Sequence, residues 1–98
     1  PKRQHNSTHV FHQYTLRIIN GKRDALKSFL ANENIPTAIY YPLGLDKQKA
    51  YAAIIGNNKG CPVSEALTKE VLSLPMHTEL SSDQLNYISG KIVEFFKK

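Results

Sequence analysis

The strongest helix pattern in the sequence is LSSDQLNYISGKIVEFF, at residues 80–96. Ser81 and Gln84 are spaced as a capping box, in which each side chain bonds the backbone N–H of the other residue. Leu80 and Leu85 flank that cap at the spacing of a hydrophobic staple. An apolar stripe then continues at helical spacing through Leu85, Ile88, Ile92 and Phe95. The pattern predicts a C-terminal helix that docks on a sheet and completes the core.

Three strands are predicted before this helix. Residues 9–19 alternate with period two and are rich in β-branched and aromatic side chains, which is typical of a strand. Residues 37–41 and 72–74 are shorter strand candidates, each ended by a proline, which has no backbone N–H for a ladder.

Three further helices are predicted between the strands. Leu26, Phe29 and Leu30 form an apolar stripe over residues 23–32. Asp46 is suited to cap a helix over residues 47–55, and Ser64 to cap the next one. The inward side of that third helix is predicted to carry Ala66, Leu67 and Val71.

The predicted order is therefore β-α-β-α-α-β-α. Three strands with helices on one face make an α/β fold of the two-layer (α+β) sandwich type. The pattern leaves open whether the strands pair parallel or antiparallel.

Length and composition predict one domain. The chain has 98 residues, 41% of them hydrophobic, and residues 1–8 read as a polar linker remnant before a domain at residues 9–98. The net charge of +5 is scattered along the chain, which favours a solvated surface over nucleic-acid binding. The single cysteine and the lack of an apolar run of about 18–20 residues favour a cytoplasmic protein without membrane contact.

Local motifs give no catalytic or metal site. His9 and His12 are three residues apart, which on a strand places them on opposite faces, and Cys61 has no activating partner nearby in the sequence. Tyr40, Tyr41 and Asp46 remain as a candidate cluster lining a cleft for a polar ligand. Composition alone favours the alternative, in which one tyrosine packs in the core and the other covers the surface.

Several segments together resemble a known family. In their order and spacing they are similar to the C-terminal domain of the DegT/DnrJ/StrS sugar aminotransferases, over residues 10–95. The segments are HQYTLR (12–17), RDAL (23–26), IPTAIYYP (35–42), CPVSE (61–65) and LSLPMH (72–77).

This resemblance implies the small domain of a fold-type I enzyme that uses pyridoxal 5′-phosphate (PLP). Such enzymes move an amino group, usually from glutamate, onto a nucleotide-linked keto sugar, and they generally work as homodimers. The lysine that holds PLP lies in a large N-terminal domain without a counterpart in this sequence. The chain is therefore expected to be inactive alone and to have that domain as its partner.

The resemblance also suggests roles for individual residues. Tyr40 and Tyr41 are expected to contact the sugar, and the small domain is expected to close and shape the substrate pocket. Asp46 stands where family members often have a histidine, so it is either a substrate contact or only a helix cap. Arg17 is either a ligand for a carboxylate or phosphate or a surface charge.

Two other functions stay open from the sequence. One is a stand-alone binding module for acidic or nucleotide ligands, which the positive charge would favour. The other is a structural module for dimerisation, which exposed apolar surface would favour.

Overall fold

The computed structural model describes residues 2–56 and 60–97 and combines helices with a small antiparallel sheet. Its elements in chain order are β1 (Tyr14–Arg17), α1 (Arg23–Asn32), two 3₁₀ turns (Leu45–Lys47 and Lys49–Tyr51), α2 (Ala52–Ile55), α3 (Pro62–Glu70), β2 (Val71–Leu74) and α4 (Ser82–Lys97). Within these described ranges, none of the helices is both long and apolar enough to cross a membrane.

Strands β1 and β2 pair antiparallel in a register that sets Tyr14 opposite Leu74. Thr15 lies opposite Ser73, and their hydroxyl oxygens are 2.8 Å apart. Because Ser73 is only 4% exposed, this hydrogen bond satisfies a polar group that burial would otherwise leave unpaired.

The core lies where α1, β2 and α4 meet. Leu26, Leu30 and Leu72 are fully buried. The Phe29 and Phe95 rings, 5.5 Å apart, pack α1 against α4 beside this core. The other buried apolar residues are Ile18, Ile35 and Ile88.

Two helix predictions are confirmed. Helix α1 has the predicted bounds of residues 23–32. Before α4, the Ser81 N–H donates to Gln84 Oε1 over 2.9 Å and the Gln84 N–H donates to Ser81 Oγ over 3.2 Å, which is the predicted capping box. The predicted stripe is confirmed at Ile88, Ile92 and Phe95, whereas Leu85 is 46% exposed.

The first strand is shorter than the predicted residues 9–19. Its partner β2 starts directly after α3 ends at Glu70 and is followed by Pro75, so the ladder has four residue pairs. Phe11 also leaves extended geometry, with φ of 48°, and its N–H donates to His9 Nδ1 over 3.0 Å. The aromatic residues before Tyr14 therefore form a local turn.

The predicted strand at residues 37–41 contributes a single bridge in the described structure. The Ala38 N–H donates to the Ser73 carbonyl over 3.0 Å, and the Ser73 N–H donates back over 2.7 Å. Continued in this antiparallel register, the pairing sets Pro36 opposite Pro75, and neither proline has an N–H to donate. The sheet consequently has two strands, and the predicted three-stranded two-layer sandwich is not confirmed.

The predicted helix over residues 47–55 is broken into two 3₁₀ turns and the single turn α2. Gln48 separates the turns in an extended conformation, with ψ of 129°. Gly44 occupies the capping position of the first turn, so the prediction that Asp46 caps its own helix is wrong.

Helix α3 also begins earlier than predicted. It starts at Pro62 with Cys61 at the capping position, so Ser64 lies in the first turn and is not the cap. Proline is favoured at a first helical position because its missing N–H would have no helical partner there. Of the residues predicted to face inward, Leu67 and Val71 are half-buried and Ala66 is exposed.

Candidate functional site

A cavity of about 520 Å³ lies between the segment that follows Ala38 and one side of α3. One wall is the segment from Tyr40 to Gln48, and the other is formed by α3 and the first residue of β2. The lining residues are Tyr40, Tyr41, Leu43, Gly44, Leu45, Gln48, Ser64, Leu67, Thr68 and Val71.

Both predicted tyrosines lie at this cavity. Tyr40 and Tyr41 are joined by a cis peptide bond, and their rings meet edge to face with centroids 5.9 Å apart. Tyr40 is 47% exposed and Tyr41 is 72% exposed, so the alternative that one of them packs in the core is wrong. Tyr40 also borders a second cavity of about 410 Å³, on the side of His12 and Thr37.

Asp46 belongs to the Tyr40–Gln48 segment that forms the first wall, but it does not itself line the cavity. Its side chain is 11% exposed. Its Oδ2 accepts a hydrogen bond from the Cys61 N–H over 3.3 Å and lies 3.8 Å from Lys47 Nζ. The structure thus brings the tyrosines together at one surface and turns the Asp46 carboxylate toward the chain just before α3.

The sequence prediction missed the α3 wall. Ser64, Leu67 and Thr68 are spaced by three and four residues, so they share one side of α3, and Val71 at the start of β2 lines the cavity with them. The spacing is visible in the sequence, but the side chains are partly polar and partly apolar, so they do not form an apolar stripe. The hydroxyl-bearing residues Ser64 and Thr68 line the same cavity as the tyrosines.

Among the residues that the structure describes, the cavity lining carries no charged side chain. These residues combine tyrosine rings and leucines with hydroxyl and amide groups. Such a surface suits an uncharged ring with hydroxyl groups, because rings stack on its faces and polar groups fix its orientation.

The residues around this cavity do not make a complete PLP site. A PLP enzyme needs a lysine for the Schiff base and a group that partners the pyridine nitrogen, and the described lining residues include neither a lysine nor a carboxylate. Lys91 is engaged elsewhere, 2.9 Å from Glu33 and 3.2 Å from Glu94. Across residues 2–56 and 60–97, no three His, Cys, Asp or Glu side chains lie together as a metal site.

The other charged groups of interest lie away from the cavity. Arg17 pairs with Glu70 and its side chain is 62% exposed, as expected of a surface charge. The Tyr87 hydroxyl on α4 donates a hydrogen bond to Glu33 Oε2 over 3.0 Å, and Lys91 Nζ lies 2.9 Å from the same oxygen. The hydrogen bond from Lys91, and then that from Tyr87, lowers the pKa of Glu33. This cluster ties α1 to α4.

The chain is similar in sequence to parts of longer proteins. The chain is 43% identical over 97 residues to the pleiotropic regulatory protein of Geobacillus stearothermophilus, covering 99% of this chain and 26% of that protein. It is 44% identical over 84 residues to UDP-N-acetyl-3-dehydro-alpha-D-glucosamine 3-aminotransferase of Acidithiobacillus ferrooxidans, covering 86% and 22%. The chain thus spans about a quarter of the length of these relatives.

The fold is also similar to that of a solved structure, a DegT DnrJ EryC1 StrS aminotransferase from Brucella abortus. The TM-score is 0.76 at 41% identity, covering 88% of this chain and 22% of that one. The model of the DegT/DnrJ/EryC1/StrS aminotransferase family matches residues 1–93, nearly the whole sequence. The chain belongs to this family of aminotransferases.

Proposed function

We propose that this chain is the C-terminal small domain of a PLP-dependent aminotransferase that acts on nucleotide-linked keto sugars. The family is PLP-dependent, and several relatives are named for amino transfer on UDP- or dTDP-linked sugars. In this proposal Tyr40 and Tyr41 face the sugar, and the chain helps to close the substrate pocket. Direct contact between Asp46 and the sugar stays a prediction.

The proposal is carried by the distribution of exposed apolar side chains. Of thirteen large hydrophobic residues exposed in the described part of the chain, seven lie between Tyr40 and Val63. None of the described residues of that segment belongs to the buried core. Apolar side chains concentrated on one segment and left outside the core are typical of a surface that packs against another polypeptide.

The total surface area supports the same view. The chain exposes 7810 Å², whereas a compact monomer of 11.1 kDa would expose about 5,700 Å². Its radius of gyration is 16.4 Å, against about 13 Å for a compact domain of this length. An excess of roughly 2,000 Å² is on the scale of a permanent interface. We propose the large N-terminal domain and a second subunit as the partners.

The residues present limit what this chain contributes to the reaction. Because the lining residues within 2–56 and 60–97 include neither a lysine nor a carboxylate, we assign PLP binding to the large domain and no chemical step to this chain. Its tyrosines and the hydroxyl groups of α3 would bind the sugar ring, hold its orientation and exclude water. The chain alone is proposed to be inactive.

The test compares tyrosines in the intact protein reconstituted with PLP. Tyr41→Ala is expected to raise KM for a UDP-linked 3-keto sugar roughly three- to tenfold, the range expected for losing one ring contact. Tyr87→Ala is the matched control, because Tyr87 is 47% exposed, lies outside the segment from Tyr40 to Val63 and does not line the cavity, and it should change KM less than twofold. Equal effects of the two substitutions would reject the assignment of Tyr41 to the substrate.

The chain alone gives a second test. A PLP Schiff-base absorbance band that appears in the intact protein, disappears on borohydride reduction and is missing from the chain alone is the expected result. Transamination by the 98-residue chain alone would contradict the proposal.

The exposed segment also favours one alternative, a module whose role is dimerisation. Sedimentation of the 98-residue chain separates the two proposals. A stable dimer of the chain alone that does not assemble with the large domain supports the alternative. A monomer that binds the large domain supports the aminotransferase proposal.

A further inference from the structure

We infer that Asp46 is a positioning residue that fixes the two walls of the tyrosine-lined cavity against each other. The inference rests on the proposed function for its consequence, because the cavity matters only if it holds the sugar. The contact itself is independent of that function.

The contact joins two segments that are separate in the chain. Asp46 lies within the first wall, which runs from Tyr40 to Gln48. Its Oδ2 accepts from the backbone N–H of Cys61, the residue directly before α3. Because α3 carries the second wall, the carboxylate holds one wall to the beginning of the other.

Two glycines, Gly44 and Gly60, lie next to the Asp46 carboxylate. A Cβ placed on Gly44 would lie 2.6 Å from Asp46 Oδ1, closer than the atoms can approach. A Cβ on Gly60 would lie 3.6 Å from Asp46 Oδ2 and 3.3 Å from Lys47 Nζ. With its side chain only 11% exposed, Asp46 occupies space that a side chain at Gly44 would take.

Gly44 provides a way to move the carboxylate without removing its charge. Its φ of −63° and ψ of 151° are extended geometry that alanine adopts without strain. Gly44→Ala is therefore expected to rotate the Asp46 carboxylate away from Cys61 while the backbone stays in place. Asp46→Ala removes the same contact by deletion.

The experiment measures amide hydrogen exchange at Cys61 in the intact protein. Asp46→Ala and Gly44→Ala should each speed that exchange about two- to tenfold, the range expected for one net hydrogen bond. The double variant should exchange no faster than Asp46→Ala, because both substitutions remove one contact. Asp46→Asn keeps an oxygen acceptor and should recover much of the parent rate. Asp83→Ala, a carboxylate in the first turn of α4, is the control and should leave Cys61 unchanged.

Steady-state kinetics on the same samples test the consequence for the cavity. Asp46→Ala and Gly44→Ala should raise KM for a UDP-linked 3-keto sugar in parallel with Cys61 exchange, with kcat within about twofold of the parent because no reacting group is touched. Thermal unfolding of each variant checks that the fold persists.

The outcomes separate the inference from the proposed function. Unchanged Cys61 exchange in Asp46→Ala overturns the inference, whatever happens to KM. The inference is also overturned if Asp46→Ala raises KM, Gly44→Ala leaves KM unchanged and Asp46→Asn does not restore the parent KM. That result would favour direct contact between the carboxylate and the sugar. If the parent has no transaminase activity, the proposed function fails, and the exchange data still decide whether Asp46 holds Cys61.

Discussion

Arg23 Nη1 donates a hydrogen bond to the carbonyl oxygen of Val71 over 3.1 Å. The same nitrogen lies 3.0 Å from the carbonyl oxygen of Thr68. Arg23 begins α1, whereas these two carbonyls belong to the last turns of α3 and the start of β2. With a side chain only 11% exposed, the guanidinium ties the first helix to the junction behind the cavity wall.

Arg23→Met should lower the free energy of unfolding by about 1–3 kcal/mol, because it leaves two partly enclosed carbonyl oxygens without their donor. Urea denaturation of the parent and the variant measures the change. Arg17→Met is the matched control: its side chain is 62% exposed, and a surface ion pair contributes about 0–1 kcal/mol. Equal losses in both variants would show that Arg23 has no special structural role.

Leu72→Ala should destabilise the protein by about 2–5 kcal/mol, because Leu72 is fully buried in β2 and its removal leaves a cavity in the core. Ile54→Ala removes a side chain that is 81% exposed and should cost less than about 0.5 kcal/mol in the chain alone. Thermal or urea unfolding compares the two. A large loss at Ile54 in the chain alone would contradict its exposed position on the surface of the fold.

Ser81→Ala should cost about 0.5–2 kcal/mol, since it removes the side-chain acceptor for the Gln84 N–H at the start of α4. Gln84→Ala removes the reciprocal bond to the Ser81 N–H. A double-mutant cycle should show that the two losses are coupled, because both substitutions disrupt the same cap. Ser82→Ala, one residue inside the helix, is the control, and additive losses at Ser81 and Gln84 would contradict a shared cap.

Glu33→Gln should weaken the pH dependence of stability on the acid side. Lys91 and Tyr87 hold the pKa of Glu33 below its ordinary value of 4.5. The folded state therefore favours the ionised carboxylate, so its contribution is fully present above about pH 4.5 and is lost as the pH falls through the lowered pKa. Thermal midpoints between pH 7 and pH 3 measure the effect. Glu79→Gln, which removes a carboxylate outside this cluster, is the control, and an equal flattening in both variants would contradict the assignment.

Tyr87→Phe should weaken the pH dependence of the stability of the fold on the alkaline side. The hydrogen bond to Glu33 raises the pKa of Tyr87 above 10.0, and carboxylate partners raise the pKa of Lys91 above 10.5. Both contributions are complete below those ordinary values and are lost as the pH rises through the raised pKa values. The parent should lose stability above about pH 10 more steeply than Tyr87→Phe, and Tyr51→Phe should behave as the parent does. Parallel curves for the parent and Tyr87→Phe would contradict this role.

Features that depend on neighbours in the sequence were predictable. The bounds of α1 and the capping box before α4 follow from side chains three or four residues apart, which a helix brings together whatever surrounds it. The family could be inferred from short segments in a fixed order. Local chemistry sufficed for each of these.

Strand pairing and the surroundings of Asp46 were not predictable in this way. The residues at 37–41 have strand character, yet the register through Ala38 and Ser73 sets two prolines opposite each other. Asp46 is of a residue type that often caps helices, yet its carboxylate accepts a hydrogen bond from the Cys61 N–H, 15 residues further along the chain. In both cases the competing partner is distant in sequence, so no local pattern reports it.

Helices α1 and α4, the three core residues that they carry (Leu26, Leu30 and Ile88) and the family follow from the sequence alone. The number of strands in the sheet, the position of both tyrosines at one cavity with α3 and the contact of Asp46 with Cys61 depend on the folded chain. Helix caps and apolar stripes act within a few residues, whereas strand register and cavity walls depend on which distant backbone groups meet.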